Sequence, residues 1–477
     1  MESLFLLLLS LGLILVLLNG GWRPALFYTF FVGFVQDPLR KITPGQPQYL
    51  LGLIVVSAAI TLITLLSSRR RLPFKLAFDK DTALLQYFPI FIWLILISAL
   101  NAFLRSGAIE VPLLGLLVYS SPLMAIWLGF HFSTKPGSVV KLLYFYIALV
   151  CIFAFTILLS FWGVSSPLFR EVGEGNIIFL DIGLGITGHS GLWRTSEIAA
   201  WHLGAASCFA ITLGARTRKF LPIFASFVLT LILMWISVLT GRRKVLTLVA
   251  GFLVVFTILL IANTRRLTRN TFLSALGLIG FSAAIFVLSG GLTELQDGVY
   301  GSFFRRGSSV FGDVGERIQG LGLAGSFTAL QDAGLFGFGV GTIYQDSISR
   351  LGIDVAKSKI GWAAEGGIGK LAYDVGTVGV IFFAVIFFLL TRLFLRLLRD
   401  RQLTTMPDHM IIVGMFSFLA ANVPTFAAAG QLFNDFYVLL ILGLSAGFIL
   451  GLGTLNTVDF KTLPSYSNMI HDGAVHY

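Results

Sequence analysis

Gly334-Leu-Phe-Gly-Phe-Gly-Val-Gly341 is the glycine-dense centre of 290–379, the one long segment too polar to enter a bilayer. Around it stand Arg305, Arg306, Glu316, Arg317, Lys357, Lys359, Glu365, Lys370 and Asp374, and a strongly apolar run lies on either side. Most of the remaining chain reads as hydrophobic helix. A polar segment so placed makes the helices a scaffold in lipid and the loop a cover over one membrane face.

Of the 477 residues, 56% are hydrophobic and 12% charged, with a mean hydropathy of +0.88. A soluble domain carries roughly 25% charged residues. Half that density, with repeated apolar runs of about 20 residues, excludes a soluble fold and gives an all-α polytopic transmembrane bundle. Spans are expected at 3–19, 49–66, 86–104, 111–131, 140–161, 199–215, 220–239, 245–263, 271–290, 373–392, 408–428 and 431–452, about 12 in all. The apolar segment 25–35 is short, with Trp22, Arg23 and Pro24 before it and Asp37 and Pro38 after it. It reads as an interfacial or re-entrant piece. The chain divides into helices over 1–290 with an outer loop at 162–198, a large extracytoplasmic loop at 291–372, C-terminal helices over 373–453 and a cytoplasmic tail at 454–477.

The formal charge of +11 does not indicate nucleic-acid binding, because the basic residues sit in short clusters between apolar runs. Threading the spans alternately gathers Arg69-Arg70-Arg71, Arg216 to Lys219, Arg265 to Arg269 and Arg392 to Arg401 on one side, the expected cytoplasm. Both termini then fall inside, and 162–198 and 291–372 fall outside. The opening Met-Glu-Ser lacks the basic start of a signal peptide, so 4–18 reads as a retained helix. Cys151 and Cys208 lie inside apolar runs and form no CxxC motif.

One cluster breaks the charge rule. Thr240-Gly-Arg242-Arg243-Lys244 falls at the outer face. Two readings stand, snorkelling to lipid phosphates and an anion site for a substrate. The middles of the spans carry almost no ionisable residue; Asp435 and His202 are exceptions, toward the outer ends. That argues against an ion-coupled transporter, which needs such groups near the midplane.

Other motifs are weaker. Gly337-Phe-Gly-Val-Gly341 lacks GxGxxG spacing and reads as a tight backbone turn. Asp79-Lys80-Asp81 matches the acidic metal triplet of some glycosyltransferases over three residues only. No histidine has metal-ligand spacing, so no metal or cofactor is expected. In Gly191-Leu-Trp-Arg194-Thr-Ser196-Glu197, Ser196 is placed to cap the next helix, with Glu197 favourable at its start. Arg194 is not explained by capping and reads as a second cation facing the site. Leu323, Phe327 and Leu330 share helical spacing, so 316–332 reads as an amphipathic surface helix with Arg317 at its start.

Three stretches fall in order: Thr240-Gly-Arg242-Arg243-Lys244; Arg317 followed by Gly337-Phe-Gly339-Val-Gly341; and Glu365-Gly-Gly-Ile-Gly-Lys370-Leu-Ala-Tyr-Asp374-Val-Gly376-Thr-Val-Gly379. This order resembles the O-antigen ligase and O-antigen polymerase-like superfamily of bacterial polytopic membrane proteins, over about residues 190–400 and the overall topology. Where that family has His-Asn before its Gly-x-x-Gly helix entry, this chain has Glu365-Gly366, which looks like the exopolysaccharide-polymerase branch. The resemblance implies a multi-pass protein of the bacterial cytoplasmic membrane. It implies transfer or polymerisation of glycan units from an undecaprenyl-diphosphate-linked oligosaccharide donor to a glycan, lipid or protein acceptor at the outer face. Glu365 is then the expected general base of a metal-independent inverting glycosyltransferase. Arg242, Arg243, Arg194 and Arg317 are expected at the donor diphosphate, with Lys244, Lys370, Asp374, Gly339 and Gly341 in support. The rival classes are a lipid-linked glycan flippase or polysaccharide exporter, which would line a central cavity with charge, and a structural or sensory membrane protein, which needs none of the ordered motifs.

Overall fold

The computed structural model describes residues 2–68, 78, 83–172, 177–179, 185–217, 219–242, 244–263, 303, 319–320, 324–343, 363, 365–399, 408–428 and 430–455. Among them the chain is an all-α bundle. Its helices are α1 (Glu2–Gly20), α2 (Trp22–Ile42), α3 (Leu53–Ser67), α4 (Ala83–Ser106), α5 (Glu110–Ser133), α6 (Ser138–Phe161), α7 (Ser196–Thr217), α8 (Phe220–Leu239) and α9 (Lys244–Asn263). They continue with α10 (Gly325–Ala333), α11 (Gly367–Leu398), α12 (His409–Ala428) and α13 (Phe436–Leu455). A short antiparallel ribbon, Ile177–Phe179 with Gly185–Thr187, interrupts the loop between α6 and α7.

Ten of the described helices are long and apolar enough to cross a membrane, so this is a multi-pass membrane protein. They match the expected spans from 49–66 to 431–452 except 271–290, which lies outside the described residues. The basic clusters 69–71 and 265–269 and the triplet 79–81 lie outside them too.

Two helices are enclosed by the rest. In α7 the apolar window is 94% buried, and in α13 it is 89% buried. Small residues permit this. Gly443, Gly447 and Gly451 repeat at i, i+4 and i+8 on α13 and meet Pro122, Gly129 and Phe130 of α5. A Cβ on Gly447 would lie 2.8 Å from the Phe130 nitrogen. Backbones approach this closely in lipid because dispersion between helices replaces the absent hydrophobic driving force.

α2 is not the interfacial piece expected at 25–35. It runs for 21 residues, ~31 Å, and packs along the bundle, though it is not among the ten helices apolar enough to cross a membrane. Phe30 and Phe34 pack edge-on against Tyr437 of α13, and Phe34 also meets Phe153 of α6 and His202 of α7. At one end Arg23 donates to the His131 carbonyl at the close of α5. At the other Lys41 donates to the Gly191 carbonyl beyond α6. These contacts span the full height of α6. α1 returns beside α2, with the Tyr28 hydroxyl donating to the Leu9 carbonyl at 2.7 Å and Gly20 against Pro24.

α13 leaves the end of the bundle where Lys41 lies at Asp435 and finishes beside Ser133 and Leu397. The sequence reading found only 25–35 of α2. The physical reason is local. Arg23, Gln36, Asp37, Arg40 and Lys41 cut the apolar window of α2 to about half a span, yet Asp37 and Lys41 are buried against partners distant in sequence.

α10 is the described part of the surface helix expected at 316–332. Its inward face is the small one, Gly325, Ala329 and Ala333, packed on Ala372 and Tyr373 of α11, while Phe327 points outward with 67% exposure. Residues 316–318 and 321–323 of the expected helix, including Arg317, lie outside the described residues.

Candidate functional site

The end of the bundle where α2 and α6 finish and α7, α9, α11 and α13 begin holds a connected polar network. Asp37 and Lys41 stand at i and i+4 on α2 and share one face. Arg194 lies between α2 and α13. Its Nη2 is 2.6 Å from Asp435 Oδ2 and its Nη1 is 3.8 Å from Asp37 Oδ1. Its backbone amide donates to Asp37 Oδ2 at 3.1 Å. The other Asp435 oxygen accepts the Val438 amide at 2.8 Å and so caps α13. Arg194 is thus held by two buried carboxylates as a clamp beneath the start of α7.

Thr195, not Ser196, caps α7: its hydroxyl accepts the Ile198 amide. The Ser196 hydroxyl instead accepts Nε–H of Arg242 at 3.1 Å. Arg242 lies in the tight turn between α8 and α9, which Gly241 makes at φ +67° and the Thr240 hydroxyl braces by accepting the Arg242 amide. Lys244 opens α9, where a cation opposes the helix dipole. Glu197 compensates, with Oε1 2.8 Å from Lys244 Nζ. Glu197, Arg242, Lys244, Trp201, Thr425 and Leu432 line a crevice of about 10 Å³. That is room for roughly one water, so any larger anion must part these helices.

Glu171 adjoins this layer. The Val172 amide donates to the Arg194 carbonyl and straps the segment down. Both carboxylate oxygens of Glu171 are buried. Burial pushes its pKa up to about 7, against the pull of Arg242 and Lys41, with weaker help to the charged form from the Ser196 amide and Ser190 hydroxyl. His189, on the same loop, shares a 3.0 Å hydrogen bond with Ser160, and burial lowers its pKa.

The glycine run forms the third layer, and it is the tight turn its composition suggested. Gly337, Gly339 and Gly341 all adopt positive φ. α11 breaks at Gly376 (φ +68°), and the run is laid into the break. The Phe338 and Gly339 amides donate to the Tyr373 and Asp374 carbonyls. Ser98 of α4 joins the two strands of backbone, donating to the Asp374 carbonyl at 2.8 Å and accepting the Val340 amide at 3.1 Å. Gly339 sits on Ala102, and Gly341 sits on the Val111 carbonyl, where a side chain would collide. Gly339 and Gly341 are therefore structural supports.

On α11, Lys370 donates to Asn434, and Asp374 accepts the Tyr119 hydroxyl at 2.9 Å. Glu365 precedes α11 with an exposed side chain, and its carbonyl accepts the Gly430 amide at 2.7 Å. The 3-10 turn Gly430–Asn434 therefore joins the layers. It ties to Glu365, contributes Leu432 to the crevice, reaches Lys370 through Asn434, and leads directly into Asp435.

Of the residues expected at the site, Arg194, Arg242, Lys244, Glu365, Lys370, Asp374, Gly339 and Gly341 gather at this end. Arg243 and Arg317 lie outside the described residues. Asp37, Lys41, Glu171, Tyr119 and Asn434 were missed. Only the i, i+4 charge pair on α2 carried a readable signal. His202 is buried in the core, bonded to the Tyr146 hydroxyl at 2.8 Å and stacked on Trp193. No group of three His, Cys, Asp or Glu side chains suited to a metal occurs among the described residues. Compared with known proteins, the chain matches no family model and no curated sequence.

Proposed function

We propose that this protein transfers or polymerises glycan units from a polyprenyl-diphosphate-linked donor to an acceptor hydroxyl, at the membrane face that the network end meets. The observation that carries the reading is the Arg242 layer. A cation that the positive-inside rule disfavours is fixed by a serine hydroxyl at a crevice between α7, α9 and α12, with Lys244 beside it. A planar guanidinium suits the oxygens of a diphosphate, and the lipid tail has apolar helix surface alongside. The opposite end carries Lys135, Lys219, Arg396 and Arg399 exposed, and the positive-inside rule supports reading that end as cytoplasmic and the network as outside.

In this reading the acceptor hydroxyl loses its proton to Glu365 as its oxygen attacks the anomeric carbon. The bond from that carbon to the diphosphate oxygen breaks, and the polyprenyl diphosphate leaves with the bonding pair. Arg242 and Lys244 meet the charge that grows on the leaving group, a contact stronger in the transition state than in the ground state. One displacement inverts the anomeric configuration.

Glu365 supports the role by position: it is exposed, it opens the broken helix α11, and the 430–434 turn couples it to the Arg242 crevice. A general base contributes about 10²–10⁴-fold. Glu365→Gln in lipid nanodiscs is expected to remove transfer by that factor while donor binding and melting temperature persist. A variant that melts earlier yet turns over normally per folded molecule would remove Glu365 from the mechanism.

A further inference from the structure

A second cavity lies at the opposite, basic end, between the α1–α2 turn and the α5–α6 turn. It measures about 730 Å³, within the range of small-molecule sites. Nothing in the proposed glycan chemistry uses it. Its lining has two zones. At the rim stand Arg23, Lys135 and Lys141, with no acidic residue among the lining side chains. Deeper in, the wall is aromatic, with Phe27, Tyr28, Phe31 and Phe145.

The rim is built rather than incidental. The Arg23 guanidinium is held over the Trp22 ring at 4.6 Å and donates to the His131 carbonyl and the Thr134 hydroxyl, so its position is fixed from two helices. Lys135 and Lys141 flank it with exposed side chains. Gly137 makes the α5–α6 turn at φ +72° and brings both lysines to the same mouth. Below, Phe27 meets Phe132 and Phe145 edge-on at 5.9 and 5.4 Å, and Phe31 stays 40% exposed toward the bilayer. Cations at headgroup depth above an apolar, lipid-facing wall match one amphipathic molecule: a phosphodiester head with acyl chains.

We propose that this cavity binds an anionic phospholipid of the leaflet facing the basic end. Its phosphate would sit among Arg23, Lys135 and Lys141, with one chain along Phe27, Phe31 and Phe145. The occupant is a lipid rather than free phosphate because most of the lining side chains are apolar. By bridging the α1–α2 hairpin to α5 and α6, the lipid would brace α2, whose far end carries Asp37 and Lys41 of the network. The inference does not depend on the glycan reading and stands or falls separately.

The test is native mass spectrometry of the full chain released from detergent, with phosphatidylglycerol or phosphatidylcholine of identical chains added. One phosphatidylglycerol is expected to be retained and phosphatidylcholine not. Lys135→Gln with Lys141→Gln, which spares the Arg23 contacts, should weaken retention roughly 30-fold, from about 1 kcal/mol per basic residue near a lipid headgroup. Lys219→Gln with Arg399→Gln, the same charge change elsewhere on that end, should leave retention unchanged. Equal retention of both lipids, equal loss in the two double variants, or displacement by millimolar inorganic phosphate would each overturn the proposal.

Discussion

At one end of the bundle Lys41, Arg194, Arg242 and Lys244 come from four segments and are held by Gly191, Asp37, Asp435, Ser196 and Glu197. At the other end Lys135, Lys141, Lys219 and Arg399 stand exposed, and the Arg216–Asp408 pair is a surface contact with both side chains more than a quarter exposed. The numbers of cations are similar; their company is not. Exposed cations need only water and lipid phosphate, and they suffice to orient a chain in a membrane. Lys41 and Arg194 are the buried ones, and they carry a desolvation penalty that close carboxylates only partly offset, while Lys244 stays as exposed as Arg216. Ionisable groups buried at a membrane boundary are functional by default, which is what the proposed reading of this network uses.

The sharpest way to break the comparison is to find which end faces out. In a background lacking Cys151 and Cys208, cysteines at Ser3 and Ser166 should react with an impermeant thiol reagent in intact cells, and one at Lys135 should not. The reverse pattern inverts the ends. Labelling at Ser166 without labelling at Ser3 would overturn the α1–α2 hairpin.

The next effect is on stability. Arg194→Ala leaves Asp37 and Asp435 as neighbouring buried carboxylates, and breaking a buried pair from one side costs about 3–5 kcal/mol. Arg216→Ala, which breaks the exposed pair, should cost no more than about 1 kcal/mol. Melting temperatures in one detergent compare the two; equal shifts would mean that the network is no more buried than the surface pair.

A smaller effect follows from Glu171. Its pKa of about 7 lies above the ordinary 4.5, so the fold favours the neutral acid. The associated stability is complete below about pH 4.5 and is lost as pH rises through about 7. For ligand binding, Arg242 and Lys41 gain a counter-charge above pH 7 and lose it below. His189 adds no opposing charge near neutrality, since burial lowers its pKa. Donor affinity should therefore rise roughly fivefold between pH 8 and pH 6, about 1 kcal/mol of charge interaction. Glu171→Gln should lose most of that pH dependence. A Gln variant that keeps the full pH dependence would exclude Glu171 from the site's electrostatics.

Much of this architecture is written in hydropathy, because a span needs only length and apolarity. Three features escaped for definite reasons. α2 carries its charges at its ends, and a window average reads them as solvent although Asp37 and Lys41 close on Arg194 and Gly191. α10 was read through its large apolar residues, and the glycine–alanine stripe that packs inward has too little side chain to signal a contact face. Thr195 and Ser196 are equally good caps by residue type, and only backbone geometry decides between them. That choice matters, because it frees the Ser196 hydroxyl for Arg242. The order of Arg242, the glycine run and Glu365 was legible. Their junction at 430–435 was not, since its polar Asn434 and Asp435 lay inside a segment read as a span.

The central claim is that Arg242 meets the donor's diphosphate. It is tested by equilibrium binding of a polyprenyl-diphosphate-linked saccharide to the wild-type chain, Arg242→Lys and Arg242→Ala in nanodiscs lacking anionic lipid. Lysine keeps the charge and loses the planar fork, so the account predicts an intermediate loss for Arg242→Lys and a loss of at least tenfold for Arg242→Ala. Wild-type affinity in both variants, with unchanged turnover, would mean that Arg242 only reaches toward lipid phosphates and that the network end does not hold the donor.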